Sequence, residues 1–217
     1  MILMNDFKAE PPELREAMLQ ATSRVLESGW YVLGSEVKQF EQQWSRVCGV
    51  SHGIGVANGM DAIEIAILGL SIGEGDEVIT TPMTAFATIL AIIRSGAKPV
   101  LADIDLETAL LSTESVRRCL SPKTKAIVLV HLYGQVRQMD KWVKFCEENK
   151  IILIEDCAQA HLATWQGKVS GSFGQAGAYS FYPTKNLGAV GDAGMLVTSD
   201  STLAKKARRL RNYGQSE

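Results

Sequence analysis

A lysine in a turn and an aspartate at the end of a strand are the residues of this sequence whose types could do chemistry together. Lys185 follows an apolar stretch that ends at Phe181, and Asp156 ends an earlier apolar stretch. An amine can form an imine with an aldehyde cofactor, and a carboxylate can keep a ring nitrogen protonated so that the ring acts as an electron sink. Spacing alone favours a plainer interpretation, a surface lysine and an unrelated aspartate, and the other motifs of the chain reverse that preference.

A glycine turn between a predicted strand and a predicted helix is a candidate phosphate-binding element. It runs Val56-Ala57-Asn58-Gly59-Met60-Asp61-Ala62, and the free N–H groups of such a helix start suit a phosphate. A dinucleotide fingerprint is not met, because Gly53, Gly55 and Gly59 give G-x-G-x-x-x-G and the next strand ends in Thr80-Thr81 without an acidic residue. We therefore expect no nicotinamide site, while a phosphate cradle and a structural turn without a ligand both remain open.

Aromatic and polar residues also follow other predicted strands. Phe86 offers a flat ring to a heteroaromatic cofactor, although a lone phenylalanine more often belongs to the core. In Glu155-Asp156-Cys157-Ala158-Gln159-Ala160-His161 an apolar strand ends in two carboxylates. A partly buried carboxylate stays ionised only where a cation or several donors meet it. We expect Glu155 to point away from its neighbour into a loop, and His161 either to take part in the chemistry or to be a packed or capping residue.

The residues around Lys185 would allow a bulky cofactor to lie against the main chain. Ser180, on the strand that precedes the turn, could donate a hydrogen bond to a phosphate oxygen, or its hydroxyl could simply face solvent. Pro183 fixes the backbone next to the lysine, and the glycines at 188, 191 and 194 permit close approach of the backbone.

The composition excludes several classes of protein. A length of 217 residues is enough for one sizeable α/β domain, and a formal charge of −2 argues against a nucleic-acid binder with a broad basic surface. The basic run 205–211 is expected to be a solvated helix face. Four cysteines without paired spacing argue against a zinc site or a disulfide framework and fit a reducing cytoplasm. The uncharged run 78–93 contains Pro82 and four threonines, so we expect it not to span a membrane.

Strands and helices are predicted to alternate along most of the chain. One helix opens at Pro11-Pro12 and ends at Gly29, and a second runs from Ser35 to Gly49. Buried parallel strands are predicted at Ile54–Ala57, Glu77–Thr80, Pro99–Ala102, Ala126–Val130 and Ile151–Ile154, with helices at about 60–70, 85–95, 113–120 and 138–149. Two further strands, Ala176–Phe181 and Met195–Thr198, precede the basic helix, and residues 161–175 are expected to form a surface loop or a small hairpin. This order predicts an α/β fold with a mostly parallel central sheet flanked by helices and with ligands at the carboxyl ends of the strands.

Several of these motifs together resemble a known family, the nucleotide-sugar aminotransferases of the DegT-like branch of the fold-type I pyridoxal-phosphate enzymes. The similarity extends from about residue 5 to the end of the sequence. Its motifs are Val32-Leu33-Gly34-Ser35-Glu36-Val37, Gly59-Met60-Asp61-Ala62, Gly75-Asp76-Glu77-Val78-Ile79, Glu155-Asp156-Cys157-Ala158-Gln159-Ala160-His161, Gly171-Ser172-Phe173-Gly174 and Ser180-Phe181-Tyr182-Pro183-Thr184-Lys185-Asn186-Leu187-Gly188.

The resemblance implies a cofactor, pyridoxal 5′-phosphate, and a role for each matching residue. Lys185 corresponds to the lysine that forms a Schiff base with the cofactor and later carries the proton between the substrate carbon and the cofactor. Asp156 corresponds to the partner of the ring nitrogen, and Gln159 to a residue near the ring hydroxyl. Phe86 corresponds to the aromatic residue stacked on the ring. The phosphate contacts correspond to Gly59, Met60 and Ser180.

The resemblance also implies the reaction and the assembly. The reaction moves an amino group, commonly from glutamate, onto a keto sugar carried by a nucleotide diphosphate, in amino-sugar and polysaccharide biosynthesis. The Met60-Asp61 pair is similar to members that aminate carbon 3. Members are homodimers whose sites take residues from both subunits. We expect a helical segment at 1–30 and the cofactor-binding large domain at 31–217, without the smaller C-terminal domain of the family.

Two other functions remain open at this point. One is a relative that dehydrates a sugar, although some such members have a histidine where this chain has Lys185. The other is a non-catalytic, cofactor-binding or regulatory relative, which the length of the chain suggests.

Overall fold

The computed structural model describes residues 5–215 of the chain. Its strands are β1 (His52–Val56), β2 (Glu77–Thr80), β3 (Lys98–Leu101), β4 (Thr124–Val130), β5 (Ile152–Asp156), β6 (Thr164–Trp165), β7 (Lys168–Val169), β8 (Ala176–Ser180) and β9 (Gly194–Thr198). Its α-helices are α1 (Pro12–Ser28), α2 (Ser35–Cys48), α3 (Gly59–Gly69), α4 (Phe86–Arg94), α5 (Thr113–Cys119), α6 (Met139–Asn149) and α7 (Ser201–Leu210). Short 3₁₀ turns lie at Phe7–Ala9 and Leu132–Gly134.

A seven-stranded sheet forms the centre of the molecule, in the order β1-β9-β8-β5-β4-β2-β3. The pairs β2–β3, β2–β4, β4–β5 and β5–β8 are parallel, whereas β9 is antiparallel to both of its neighbours, β1 and β8. The predicted α/β fold with a mostly parallel sheet is therefore confirmed. The prediction for β1 was wrong in the direction of its pairing. It was predicted as a parallel strand, but β9 lies between β1 and β8, and within the described chain β1 pairs with β9 in the antiparallel direction.

The predicted strands agree with the observed ones to within two residues at each end. The prediction at Glu77–Thr80 matches β2 at both ends. A strand is present near Pro99–Ala102, as predicted, but it is not buried. It is β3, the edge strand of the sheet, and Leu101 is 49% exposed. The small hairpin expected within residues 161–175 is confirmed by the antiparallel pair β6–β7.

Side chains alternate between two apolar layers because successive residues of a strand point to opposite faces of the sheet. On one face, Val128 of β4 and Ile154 of β5 pack with the buried faces of α3, α4 and α7. On the other face, Leu129 of β4 and Leu153 of β5 pack with α5 and α6. A third cluster, centred on Trp44 of α2, packs on the end of the sheet where β8 and β9 pair. The sheet is thus covered on both faces, as a parallel sheet requires.

Local sequence signals account for where several helices begin. Pro12 takes the first position of α1, where its missing N–H costs nothing. The side chain of Asn58 accepts a hydrogen bond from the N–H of Asp61 at the start of α3, and Asp200 does the same for Thr202 and Leu203 at the start of α7. Helix α1 differs from the others because it contains no buried residue.

None of the helices between residues 5 and 215 is long and apolar enough to cross a membrane.

Candidate functional site

The carboxyl ends of β5 and β8 place Asp156 and Ser180 on one face of the sheet. The two strands are parallel neighbours, and Asp156 pairs with Ala178. Because side chains alternate, Ala178 and Ser180 point to the same face as Asp156, which is the face covered by α3 and α4. Both polar residues are buried, at 6% and 7% exposure. The two motifs that the sequence singled out are therefore brought together at one edge of the sheet.

Asp156 has hydrogen-bond donors for both of its carboxylate oxygens. The hydroxyl of Thr88 donates to Oδ2 at 2.7 Å, and the backbone N–H of Ala158 donates to Oδ1 at 3.1 Å. Two donors fit the expectation that a buried carboxylate at this position must be met by polar groups. Thr88 was not predicted as a site residue, because a threonine among apolar residues of a helix is inconspicuous. Its spacing could have identified it, since Thr88, Ala91 and Ile92 form the buried stripe of α4.

The first turn of α3 lies directly against the end of β8. A Cβ atom added to Gly59 would come within 2.7 Å of the Ser180 Cβ atom, so only glycine fits at this contact. The first N–H groups of a helix have no partner within the helix, and Asn58 satisfies that of Asp61. Gly59, Met60 and Ser180 therefore combine a helix start with an adjacent hydroxyl, an arrangement that suits a phosphate group.

The turn that carries Lys185 is held by its own backbone. The N–H of Lys185 donates to the carbonyl oxygen of Tyr182 at 2.8 Å, and the N–H of Ala189 donates to the carbonyl oxygen of Phe181 at 2.7 Å. The hydroxyl oxygen of Ser180 accepts from the N–H of Tyr182 at 3.3 Å. Lys185 itself is partly exposed. The amine is thus attached, through one ordered turn, to the strand that ends at Ser180.

His161 is a packed histidine that contacts this turn. Its Nε2 donates to the carbonyl oxygen of Ser180 at 2.9 Å, and its ring lies among Trp44, Tyr179 and Phe181. Burial lowers the pKa of His161 and outweighs the hydrogen bonds to Ser180 and Asn186, which act to raise it, while the positive charge of Lys185 adds a smaller lowering. The ring is therefore neutral near pH 7, and the packed interpretation of His161 is confirmed.

Phe86 and Gln159 lie at the rim of the same edge. Phe86 is the first residue of α4 and is 68% exposed, so the alternative that it belongs to the core is excluded. The side-chain oxygen of Gln159 accepts from the backbone N–H of Tyr133 at 2.8 Å, which fixes its orientation after β5. Thr88, two residues after Phe86, joins that helix turn to Asp156.

Glu155 points to the opposite face of β5 and is fully buried. Its Oε1 accepts from the N–H groups of Phe173 and Gly174, each at 2.8 Å, and its Oε2 accepts from the N–H of Gly171 at 2.8 Å and from Nε2 of His131 at 2.9 Å. The expectation that Glu155 points into a loop is confirmed. His131, Glu155 and Cys157 lie close enough to hold a metal ion, but four donors already occupy the carboxylate. The cluster is therefore a structural network.

A cavity of about 760 Å³ lies between α2, α3 and the segment after α7, and two of its lining residues, Ala57 and Asp61, flank the turn that carries Gly59 and Met60. None of the seven predicted site residues lines it. The predicted residues instead lie at the carboxyl ends of β5 and β8, in the segments that follow these strands, and at the starts of α3 and α4. The close contact at Gly59 and the donors at Asp156 are compatible with a flat, phosphorylated heterocycle bound at these strand ends.

Comparisons with known proteins find the same family along almost the whole chain. The DegT/DnrJ/EryC1/StrS aminotransferase family matches residues 12–217. The dTDP-3-amino-3,4,6-trideoxy-α-D-glucose transaminase of Micromonospora megalomicea subsp. nigra is 44% identical over 203 residues, which are 94% of this chain and 54% of that protein. A pleiotropic regulatory protein of Geobacillus stearothermophilus is 43% identical over 211 residues, 97% of this chain and 57% of that protein.

A solved structure shows the same similarity in three dimensions. The crystal structure of S. venezuelae DesV, in complex with a ketimine intermediate, superposes with a TM-score of 0.94 at 42% identity and covers 98% of this chain. The match covers 57% of the DesV chain. The present chain thus spans little more than half the length of the proteins to which it is similar.

Proposed function

This chain belongs to the DegT/DnrJ/EryC1/StrS aminotransferase family, and on that premise we propose that it is the cofactor-binding part of a pyridoxal-phosphate-dependent aminotransferase. The protein would transfer an amino group, from glutamate, to a keto sugar carried by a nucleotide diphosphate, in amino-sugar and polysaccharide biosynthesis. The observation that carries the proposal is the edge of the sheet at which Asp156 and Ser180 share a face, with Lys185 in the turn that follows.

Seven residues would hold the cofactor and complete the site. Gly59, Met60 and Ser180 would bind its phosphate, where the close contact between α3 and β8 leaves a helix start beside a hydroxyl. The carboxylate of Asp156 would bind the ring nitrogen, and Gln159 would lie near the ring hydroxyl. The exposed ring of Phe86 is available for stacking. Lys185 would supply the amine.

When bound, pyridoxal phosphate supplies an aldehyde that reacts with amines and a ring that takes up electrons. The Nζ atom of Lys185 would bond to that aldehyde and, once free, would move the proton at the reacting carbon as a general base. The neutral ring of His161 fixes the start of the lysine turn through the Ser180 carbonyl without adding positive charge beside Nζ. Asp156 stays in place through its two donors.

The domain and partner proposals depend on the same resemblance. We propose that residues 1–30 form a helical segment, of which residues 1–4 lie outside the described part, and that 31–217 form the cofactor-binding domain. Helix α1 buries none of its residues, and Leu14, Leu19 and Leu26 are all about half exposed or more. This exposure supports a homodimer in which α1 would be covered. The four free cysteines support a cytoplasmic location.

The substrate proposal is narrower in one respect. The relative from Micromonospora is named for a sugar that carries its amino group at carbon 3, and Met60-Asp61 is similar to members that act there. We therefore propose carbon 3 as the position of amination.

Covalent trapping tests the cofactor proposal. Adding pyridoxal phosphate should yield a yellow protein, and borohydride should then attach the cofactor to the peptide that contains Lys185, as mass spectrometry would show. A Lys185→Ala variant should lose the adduct, while Lys205→Ala, on the exposed face of α7, should keep it. A folded wild-type protein without an adduct at Lys185 would contradict the proposal.

Turnover separates transamination from the alternatives. An aminotransferase should form 2-oxoglutarate from glutamate when the cofactor and a nucleotide-linked keto sugar are supplied, whereas a pure dehydratase should not. The presence of Lys185 favours transamination. A regulatory function is the second candidate, because the relative from Geobacillus is named a pleiotropic regulatory protein. Normal cofactor binding by the complete natural protein without any turnover would favour that candidate.

A further inference from the structure

Thr88 is a buried polar residue with an unusual partner. It is 1% exposed and lies on the inward stripe of α4 with Ala91 and Ile92. A threonine inside a helix ordinarily bonds to a carbonyl of the preceding turn or points to solvent. The hydroxyl of Thr88 instead crosses to the sheet and meets Oδ2 of Asp156 at 2.7 Å, an ordinary distance for an O–H···O hydrogen bond.

The direction of the hydrogen bonds through Thr88 can be assigned from the number of protons. A carboxylate oxygen only accepts, so the single hydroxyl proton of Thr88 is donated to Asp156. The hydroxyl of Thr84 lies 2.8 Å from that of Thr88. Because Thr88 has no second proton, Thr84 must donate to Thr88. The two threonines therefore form a hydroxyl relay (Thr84 and Thr88) in which each bond polarises the next.

The relay joins three parts of the candidate site. Thr84 lies in the loop after β2, Thr88 in the first turn of α4, and Asp156 at the end of β5. Phe86 lies between the two threonines in sequence. The same short segment would therefore present the ring that stacks on the cofactor and hold the carboxylate that faces its nitrogen.

We propose that the hydroxyl relay of Thr84 and Thr88 positions the Asp156 carboxylate for the ring nitrogen of the cofactor. This inference rests on the proposed function. The relay keeps the carboxylate in one orientation and stabilises its negative charge in a buried site, where an oxygen without a donor would be costly. Thr88 is a positioning residue, since it would act on the cofactor only through Asp156.

Cofactor affinity measured with two ligands tests the relay. The first ligand is pyridoxal phosphate, and the second is its 1-deaza analogue, in which a carbon replaces the ring nitrogen. Thr88→Val keeps the shape of the side chain and removes the hydroxyl. We expect the dissociation constant of Thr88→Val for pyridoxal phosphate to rise about tenfold, the value of one hydrogen bond to a charged group. The constant for the deaza analogue should stay within about twofold, because this ligand has no nitrogen for Asp156 to pair with.

Two further variants serve as controls. Thr88→Ser keeps the hydroxyl, so its affinity for pyridoxal phosphate should match that of the wild type. Thr84→Val, at a partly exposed position, removes only the outer link and should weaken binding by about threefold. Circular dichroism shows whether Thr88→Val is folded. If it is not, the affinity of Thr84→Val for pyridoxal phosphate tests the relay in its place.

The outcomes distinguish this inference from the proposed function. Equal losses for the two ligands in Thr88→Val would overturn the relay, because a purely structural role would affect both. An unchanged affinity for pyridoxal phosphate in folded Thr88→Val, or in Thr84→Val when the first variant is unfolded, would overturn it as well. If the wild-type protein binds neither ligand, the proposed function fails and the inference fails with it.

Discussion

Two neighbouring carboxylates at the end of β5 meet very different surroundings. Glu155 is fully buried on the face of α5 and α6, where four donors surround its two oxygens. Asp156 lies on the face of α3 and α4, where Thr88 and Ala158 supply one donor to each oxygen. Both are delivered by the same strand, and the alternation of side chains separates them.

The difference shows how one strand end can supply a structural carboxylate on one face and a proposed ligand-binding carboxylate on the other. Glu155 joins β5 to the 171–174 segment and to His131 at the end of β4, so its hydrogen-bonding capacity is used within the fold. Each oxygen of Asp156 can accept one more hydrogen bond. A carboxylate that can still accept hydrogen bonds at the carboxyl end of a strand is suited to bind a ligand.

The largest expected effect is the loss of stability in Glu155→Ala. This change would leave three backbone N–H groups and His131 buried without their acceptor, which costs about 3–5 kcal/mol of the free energy of unfolding. Urea denaturation followed by circular dichroism would measure it. Glu148→Ala, at an exposed position of α6, should change the free energy of unfolding by less than about 0.5 kcal/mol.

Asp156→Asn tests whether Asp156 differs from Glu155 in its contribution to stability and to cofactor binding. This variant retains the shape and an acceptor oxygen, so its stability should fall much less than that of Glu155→Ala, while its affinity for pyridoxal phosphate should fall strongly. Comparable losses of stability in Asp156→Asn and Glu155→Ala would show that the two carboxylates do not differ in the proposed way.

A smaller effect is expected where α3 meets β8. Gly59→Ala places a Cβ atom within 2.7 Å of the Ser180 Cβ atom, and the helix start must move to relieve the overlap, at a cost of about 1–3 kcal/mol. Binding of pyridoxal phosphate should weaken because the phosphate contacts move apart. Gly73→Ala is the control, since its added Cβ would meet only the Ser95 carbonyl oxygen, at 3.4 Å, which is an ordinary contact distance. If Gly59→Ala binds the cofactor as tightly as Gly73→Ala does, this turn is not the phosphate site.

The smallest effect concerns pH. Burial lowers the pKa of His161 below its ordinary value of about 6.5. Below pH 6.5 the unfolded chain binds a proton that the folded ring resists, so the contribution of His161 to stability is complete above pH 6.5 and declines as the pH falls. We expect the difference in unfolding free energy between the wild type and His161→Asn to be larger at pH 7.5 than at pH 5.5, by urea denaturation. A difference that grows on acidification would contradict the lowered pKa. His52 and His131 are common to both proteins and cancel.

The sequence predicted the regular parts of this fold well because their signals are local. Apolar runs and helix starts such as Pro12 and Asn58 depend on neighbouring residues, and these elements are present in the structure. The position of β9 between β1 and β8 depends on pairing between distant segments, so the pairing of β1 was predicted incorrectly. The exposure of β3 was missed for the same reason, since an edge position depends on the order of the strands in the sheet.

The contacts around the candidate site could be predicted only in part. The residue types at Asp156 and Lys185 predict the proposed chemistry, but the groups that hold Asp156 in place were not visible in the motifs. Thr88 is 68 positions away from Asp156 in sequence, and its role depends on where α4 packs. The four donors of Glu155 come from two segments that only the fold brings to β5.

Strand β9 determines how closely the start of α3 approaches Ser180, although it supplies none of the seven predicted residues. A Cβ atom at Gly194 would lie 2.3 Å from the backbone of Asn58, so the bare main chain at this point allows the end of β1 to pass over β9 and reach Ser180. A methyl group there would push the first turn of α3 outward and widen the gap between Gly59 and Ser180, two of the proposed phosphate contacts. A main-chain position outside the proposed contacts thus sets how far apart those contacts stand.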